Sequence, residues 1–421
     1  MSDKMTYREA VDYINSFLVF GSKPGLGRIS YLLELLGNPQ KKLKFIHVAG
    51  TNGKGSVCAY LSCILQSAGY KTGCFTSPYV VDFAERFQIN GENISHDDLS
   101  EITTKVRSII ENIPKDKMPT EFEVVTAVGL LWFYEQKCDV VVLEVGLGGL
   151  YDSTNVIDTP LCSVICSISL DHTAILGNTV EEIAVQKAGI IKPNGKTVIY
   201  PNQPGRVHEI IKEIAAERKN ELTVPDENGI RIIDESIKGT EFEYKNEIYK
   251  IKMLGNVQPI NAVTAIHAVT AAFPNIPHGA IKQGLMKAKI HARCEVIDEN
   301  RPIIADGAHN PDGVLALKGV LSRFVDKKTV AVMGMMKDKD IDTVLSEIAA
   351  GFDKIITVTV DNPRAISANE LAKKASAYCD DVTAADSVEN AVKTALSMTD
   401  HAVCFCGSFY MMAKVYGILK W

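Results

Sequence analysis

Residues 44–56 read KFIHVAGTNGKGS: a short apolar strand, Lys44 to Ala49, that runs into Gly50-Thr51-Asn52-Gly53-Lys54-Gly55-Ser56. From Lys54 to Gly69 the pattern turns helical. A strand, a glycine-rich turn and a helix start in that order make an anion cradle. Glycines let the backbone aim N–H groups at a phosphate, and the helix N-terminus adds partial positive charge. Lys54 can reach the β- and γ-phosphates of a nucleotide, and the Ser56 hydroxyl can hold Mg²⁺. The stretch departs from the usual GxxxxGK[ST] spacing. Val48 stands where the first glycine is expected, and Gly55 separates Lys54 from Ser56.

Outward from this loop, strands alternate with helices along most of the chain, which predicts an α/β fold. Val140 to Val145 and Leu161 to Ile168 are continuous apolar runs, as buried parallel strands require. Thr179 with Glu182 forms a capping-box pattern that opens a helix stopping near Gly189. Phe242 to Tyr244 and Ile248 to Ile251 flank Lys245-Asn246-Glu247 and predict a β-hairpin appended to the main sheet. A second α/β series begins near Ile297, with strands at Ile303–Ala305, Thr329–Met333, Lys354–Val360 and Ala402–Cys406. One of its helices opens at a capping box of Ser367 and Glu370. The expectation is therefore two domains. Residues 1–296 form a P-loop ATPase-type domain with a mostly parallel sheet, and 297–421 form a smaller Rossmann-like domain.

With 421 residues, 46% hydrophobic and 23% charged, the chain has the balance of a globular protein of more than one core. A net charge of −6 argues against a nucleic-acid partner. No apolar run reaches the ~20 residues of a membrane span, and Met1 to Asn15 lacks the shape of a signal peptide. Ten cysteines lie scattered on apolar elements with no CxxC pair, as in Cys162, Cys166, Cys404 and Cys406. They read as buried reduced thiols of a cytoplasmic protein, not a zinc site.

Two further groups fall at strand ends, where α/β sheets place ligands. Glu144 closes the run Val140 to Leu143, and Gly146, Gly148 and Gly149 after it allow a ligand close approach. Asp171-His172 follows the next buried strand and reads as a candidate metal position. Lys187 lies within a helix and, taken alone, reads as a solvated side chain.

Together the segments GTNGKGS (50–56), TSPYV (76–80), ERFQING (85–91), LEVGLGG (143–149), DSTNVI (152–157), LDHTAILGNT (170–179), KAGIIKP (187–193) and DGAHNP (306–311) resemble the folylpolyglutamate synthase and dihydrofolate synthase family of Mur-type ligases. The resemblance runs from about residue 5 to the C-terminus. It implies an ATP-dependent amide-bond ligase that joins L-glutamate to dihydropteroate or a reduced folate, with the active site between the two domains. By the same resemblance, Ser56 and Glu144 hold one Mg²⁺, and His172 and Lys187 hold a second, the lysine being carbamylated. Gln258 and Asn261 match the adenine-side motif, Arg293 the phosphate-contacting arginine and Asp306 the nucleotide-contacting aspartate. His309 faces the activated carboxylate. Thr76, Ser77, Pro78 and Asp152 lie on the pterin side. Lys54, Lys187, Arg293 and His309 carry the chemistry, through an acyl phosphate. Two domains suffice for such a site, so a monomer is expected.

The chain departs from the family pattern at Leu150 (often Arg), Val257 (often His) and His291-Ala292 (often Pro-Gly). Two other readings stay open: a Mur-type ligase for another carboxylate, and an ATP-binding regulator that no longer catalyses. TSPYV followed by ERFQING favours folate over a cell-wall precursor.

Overall fold

Strand β1 (Phe45–Ala49) is buried at every position, which its near-continuous apolar sequence allows only in the middle of a covered sheet. In the computed structural model, which describes residues 4–21, 23–324 and 326–419, it does lie there. The first three residues of the Met1–Asn15 stretch and the last two of the resemblance fall outside the described residues.

The remaining strands of the large sheet are β2 (Thr72–Phe75), β3 (Phe87–Ile89), β4 (Glu92–Asn93), β5 (Val140–Glu144), β6 (Cys162–Ile165), β7 (Lys196–Ile199) and β8 (Glu221–Thr223). Their order is β4-β3-β2-β5-β1-β6-β7-β8, parallel except for the β2–β3 and β3–β4 pairs. β1 is flanked by β5 and β6, with Val48 opposite Glu144 and Ala49 opposite Ile165. The loops after all three strands therefore leave the sheet side by side at one edge. The helix Lys54–Ser67 follows β1, and helix His278–Lys287 packs on it so closely that a Cβ on Gly284 would stand 2.4 Å from the Ile64 Cα.

The chain divides into two compact units, but not at one point in the sequence. The first holds the residues up to Tyr79 with Phe83–Ile230 and Ile260–Ala288. The second holds Val80–Asp82, Arg231–Pro259 and everything from Lys289 onward.

The hairpin expected on the main sheet belongs elsewhere. Strands β9 (Arg231–Ser236), β10 (Gly239–Tyr244) and β11 (Glu247–Ile251) make a separate antiparallel sheet, grouped with the second unit. Lys245 and Asn246 both have positive φ, 51° and 62°, as a two-residue hairpin turn demands. β10 finds its third strand locally, across the short Ile237-Lys238 turn, so it needs no long-range partner. The sequence RIIDES at β9 lacks the alternation that would have announced it.

In the second unit, β12 (Glu295–Asp298), β13 (Ile303–Ala305), β14 (Thr329–Met333), β15 (Lys354–Thr357), β16 (Val382–Ala384) and β17 (Ala402–Cys406) form a sheet in the order β12-β13-β17-β14-β15-β16. Only β12 runs antiparallel to its neighbour. β15 stops at Thr357, short of the expected Val360, because its partner β14 ends at the facing Met333. At Ser367 the hydroxyl half of the expected capping box forms, accepting from the Glu370 N–H.

Gly284→Ala should lose about 1–3 kcal/mol of stability, since the added methyl must displace backbone in an already filled helix contact. Urea unfolding followed by circular dichroism measures it.

Candidate functional site

At the end of β1 the Gly50 Cα packs so tightly that a Cβ there would lie 2.6 Å from the Cys166 Cβ. The loop then leans on the segment after β6. Thr51 N donates to Ser167 O at 2.8 Å, and the Thr51 hydroxyl and Ser169 exchange bonds of 3.1 Å in both directions. Gly53 has φ 85° and serves as N-cap of the helix Lys54–Ser67, so the N–H groups of Lys54, Gly55 and Ser56 form that helix's first turn. A Cβ on Gly53 would meet the Asn261 side-chain oxygen at 2.8 Å, which places Asn261 against the loop. The Ser56 side chain is buried.

Two amines converge on one carbonyl. Lys54 Nζ donates to Gly50 O at 3.1 Å and to Thr51 O at 3.3 Å. Lys187 Nζ donates to the same Gly50 O at 2.8 Å. Lys187 is not the solvated helical lysine its position alone suggested, being only 4% exposed. Burial, and then the neighbouring Lys54 charge, bring its pKa down to about 7, against a smaller opposing pull from Asp171. Helix Val180–Lys187 opens with the expected reciprocal box of Thr179 and Glu182. It is pressed against the 149–150 turn, where a Cβ on Gly149 would stand 2.7 Å from Gln186 O and Leu150 N donates to that same oxygen at 2.8 Å.

Glu144 is buried at the end of β5, and its carboxylate accepts from Ser77 N at 3.3 Å. Arg86 donates to Ser77 Oγ at 2.9 Å and lies over the Tyr79 and Phe83 rings, and Thr76 N donates to Arg86 O at 3.1 Å. The Thr76-Ser77-Pro78 turn, with its cis Ser77-Pro78 peptide, is thereby tied to Glu144. Ser56 and Glu144 supply hard oxygen donors of the kind Mg²⁺ accepts alongside phosphate oxygens and water.

Asp152 faces its own loop. Its carboxylate accepts from Leu147 N at 2.8 Å, Thr154 N at 3.0 Å and the Thr154 hydroxyl at 2.5 Å. Burial pushes its pKa up, while these donors pull the other way. The Thr154 hydroxyl also meets His47 Nε2 at 2.9 Å. His47 was missed from sequence, although a polar residue in the buried run FIHVA was its signal. It is fully buried and held neutral, its pKa pushed down to about 3 by burial and then by Lys192.

His172 is exposed, with φ 48°, before the one-turn helix Thr173–Leu176, and its Nε2 lies 3.7 Å from Asp171. Among the described residues no three His, Cys, Asp or Glu side chains converge on a metal position. An ammonium cannot bind a cation, so Lys187 joins His172 as a metal ligand only once it carries an oxygen group.

In the second unit, β13 and β17 are neighbours with Ala305 opposite Phe405, so their following turns adjoin. Asp306 is buried there and accepts from Cys294 N at 2.6 Å, Cys294 Sγ at 3.0 Å and Ala308 N at 2.6 Å. Burial raises its pKa, opposed by the Cys294 hydrogen bond and the Arg293 charge. It thus ties its own turn to Cys294, the residue after Arg293, in a bend where Ala292 and Cys294 both have positive φ. The exposed Arg293 guanidinium lies 4.5 Å from the Phe409 ring centroid, and the His309 ring meets the same phenyl edge-on at 5.8 Å. His309 Nδ1 is 2.7 Å from Gly307 O, so Nδ1 carries the proton and Nε2 is the acceptor nitrogen of the ring. Phe409, the common support, went unnoticed in sequence. Its signal was an aromatic directly after the strand-ending Gly407-Ser408. At His291-Ala292, Ala292 N donates to Tyr416 Oη at 2.7 Å, and His291 Nδ1 meets Glu295 at 3.1 Å. Gln258 is buried at the start of helix Gln258–Ala272.

A nucleotide loop at a parallel sheet edge and a separate small sheet carrying an arginine and a histidine define a Mur-type ligase. Residues 48–269 match the Mur ligase middle domain and 292–409 the Mur ligase glutamate ligase domain. The dihydrofolate synthase/folylpolyglutamate synthase of Bacillus subtilis is 39% identical over 380 residues, 87% of this chain and 88% of that protein. The crystal structure of Mycobacterium tuberculosis folylpolyglutamate synthase complexed with ADP and AMPPCP superposes with a TM-score of 0.89 at 28% identity, covering 99% of each chain. A bifunctional folylpolyglutamate synthase/dihydrofolate synthase with Mn, AMPPNP and L-glutamate bound gives 0.84 at 31% identity, over 99% and 98%. The chain belongs to the folylpolyglutamate synthase and dihydrofolate synthase family, and is an ATP-dependent glutamate ligase.

His47 generates a pH prediction. Its folded pKa of about 3 lies below the ordinary 6.5, so the unfolded chain takes up a proton that the folded chain refuses. Stability is full above about pH 6.5 and drains away as pH falls toward 3. His47→Gln, which keeps a group to meet Thr154, should lose less stability than wild type across that window. Urea midpoints compared at several pH values in both proteins test this.

Proposed function

We propose that this chain adds L-glutamate both to dihydropteroate and to a reduced folate. ATP lies over the loop at Gly50 to Ser56. The observation that carries the reading is the arrangement at the first unit's sheet edge, where Lys54 and Lys187 meet on the Gly50 carbonyl just after β1 and the buried Glu144 ends the adjacent β5. The two-activity names of the Bacillus relative and of the Mn-containing structure support extending it to both acceptors.

In this reading the acceptor's carboxylate attacks the γ-phosphorus and displaces ADP, giving an acyl phosphate. The amine of glutamate then attacks the acyl carbon, and phosphate leaves with formation of the amide. The protein's part is positioning and charge compensation. The first-turn N–H groups and Lys54 grip the phosphates. Arg293, steadied on Phe409, offsets charge on the transferred group, with Asp306 holding its loop. His309 presents Nε2 toward the acyl centre, and Gln258 and Asn261 serve the adenine side. Thr76, Ser77 and Pro78 border the pterin, while Asp152 shapes the loop behind it. Ser56 and Glu144 would hold Mg²⁺, which when bound neutralises phosphate charge. With its pKa near 7, the Lys187 amine is substantially neutral at neutral pH and can add to CO₂ with loss of a proton. The carbamate oxygen would then join His172 at a second Mg²⁺. The enzyme works as a cytoplasmic monomer. Ten free cysteines support the compartment, nine of them buried, and no helix among the described residues is long and apolar enough to cross a membrane.

The test supplies ATP, Mg²⁺, bicarbonate and L-glutamate with dihydropteroate or tetrahydrofolate in separate reactions, with products weighed by mass spectrometry. Glutamate addition to both is expected, and its abolition in a folded Lys54→Ala protein. Turnover with one acceptor only would remove the dual activity. Turnover with neither, by folded protein that binds ATP, would overturn the folate reading.

A further inference from the structure

The stretch immediately after Lys187 is gripped to an unusual degree. Ala188, Gly189, Ile190 and Ile191 are buried where the α-helix gives way to a single 3₁₀ turn; Ile191 N donates to Ala188 O at 3.0 Å, and side chains add to what the backbone supplies. Every carbonyl from 188 to 192 accepts from a side chain. Arg218 Nη1 donates to Ala188 O at 3.3 Å, to Gly189 O at 3.4 Å and to Ile191 O. Asn155 Nδ2 reaches Gly189 O at 3.3 Å, Ser163 Oγ reaches Ile190 O at 2.9 Å and Asn220 Nδ2 reaches Lys192 O at 2.8 Å. Arg218 is the only one of the four that spans several carbonyls. It comes from a separate element, the C-cap of helix Val207–Glu217, and sets a positive charge at the negative end of the Lys187 helix.

Satisfying buried carbonyls would be role enough for Asn155, Ser163 and Asn220. The consequence for Lys187 is larger. Its Nζ sits at the end of a flexible four-carbon stem, yet it meets the Gly50 carbonyl at 2.8 Å. A long side chain holds such a position only if its backbone is pinned. We infer that Arg218 is a positioning residue: by clamping the Ala188–Ile191 carbonyls it fixes Lys187 where its amine can take up CO₂ and face the nucleotide loop. The inference rests on the carbamate reading of Lys187.

The experiment titrates the full-length protein with ¹³C-bicarbonate and follows the carbamate resonance by NMR, assigned by its loss in Lys187→Ala. Arg218→Gln should raise the bicarbonate needed for half-maximal signal at least fivefold while leaving the KM for ATP within twofold of wild type. Arg218→Lys keeps the charge on a shorter stem that leaves its amine short of the carbonyls, and should shift the same titration. It carries the test if the Gln variant does not fold. Wild-type titrations in both folded variants, whatever happens to their melting temperatures, would leave Arg218 a purely structural residue and overturn the inference. A wild-type spectrum without the resonance would instead remove the Lys187 reading itself, and this inference with it.

Discussion

The carbonyl of Gly50 accepts hydrogen bonds from two lysines, and much of the first unit is arranged to make that possible. Two ammonium groups near one another in a buried setting repel, and the structure resolves the conflict by depressing one. Lys187, the more deeply buried, is driven toward neutrality. Gly50 must lack a side chain because Cys166 lies against it, Gly53 must turn the chain into the helix, and Gly149 must let the Lys187 helix approach. Electrostatics and close backbone packing thus converge on one point of the nucleotide loop.

How much of this could be read from residues depended on whether the signal was local. The loop, the helix after it, the strands β1, β5 and β6, and the capping box at Thr179 are all written in short-range pattern and appear where the pattern puts them, β6 departing furthest by ending at Ile165 rather than Ile168. The burial of Lys187 was invisible, because it depends on a contact 137 residues away in the chain. The hairpin was legible and its place was not. β9 carries no alternation, and whether a hairpin joins one sheet or another is settled by tertiary pairing. Asp152 sits in a motif that suggested a ligand contact, yet its oxygens are taken up by the Leu147 and Thr154 donors of its own loop.

The second unit uses a different economy. Arg293 and His309 come from different segments, and a single phenyl ring, Phe409, supports both. Asp306 does the same for the backbone, joining Cys294, next to Arg293, to Ala308, next to His309. At His291-Ala292 the chain makes a left-handed turn with an alanine whose methyl is buried and whose N–H is held by Tyr416. Local packing offsets there what a glycine would have made easy.

The central position of β1 also constrains how the molecule comes into being. Its neighbours β5 and β6 are synthesised roughly a hundred residues later, and the bond that steadies Thr51 reaches a partner 118 residues on. On the ribosome, the nucleotide loop emerges early and waits, unsupported on both sides, with an apolar strand exposed. An engineered truncation anywhere before β6 would leave at least one edge of that strand unpaired and prone to associate with others like it.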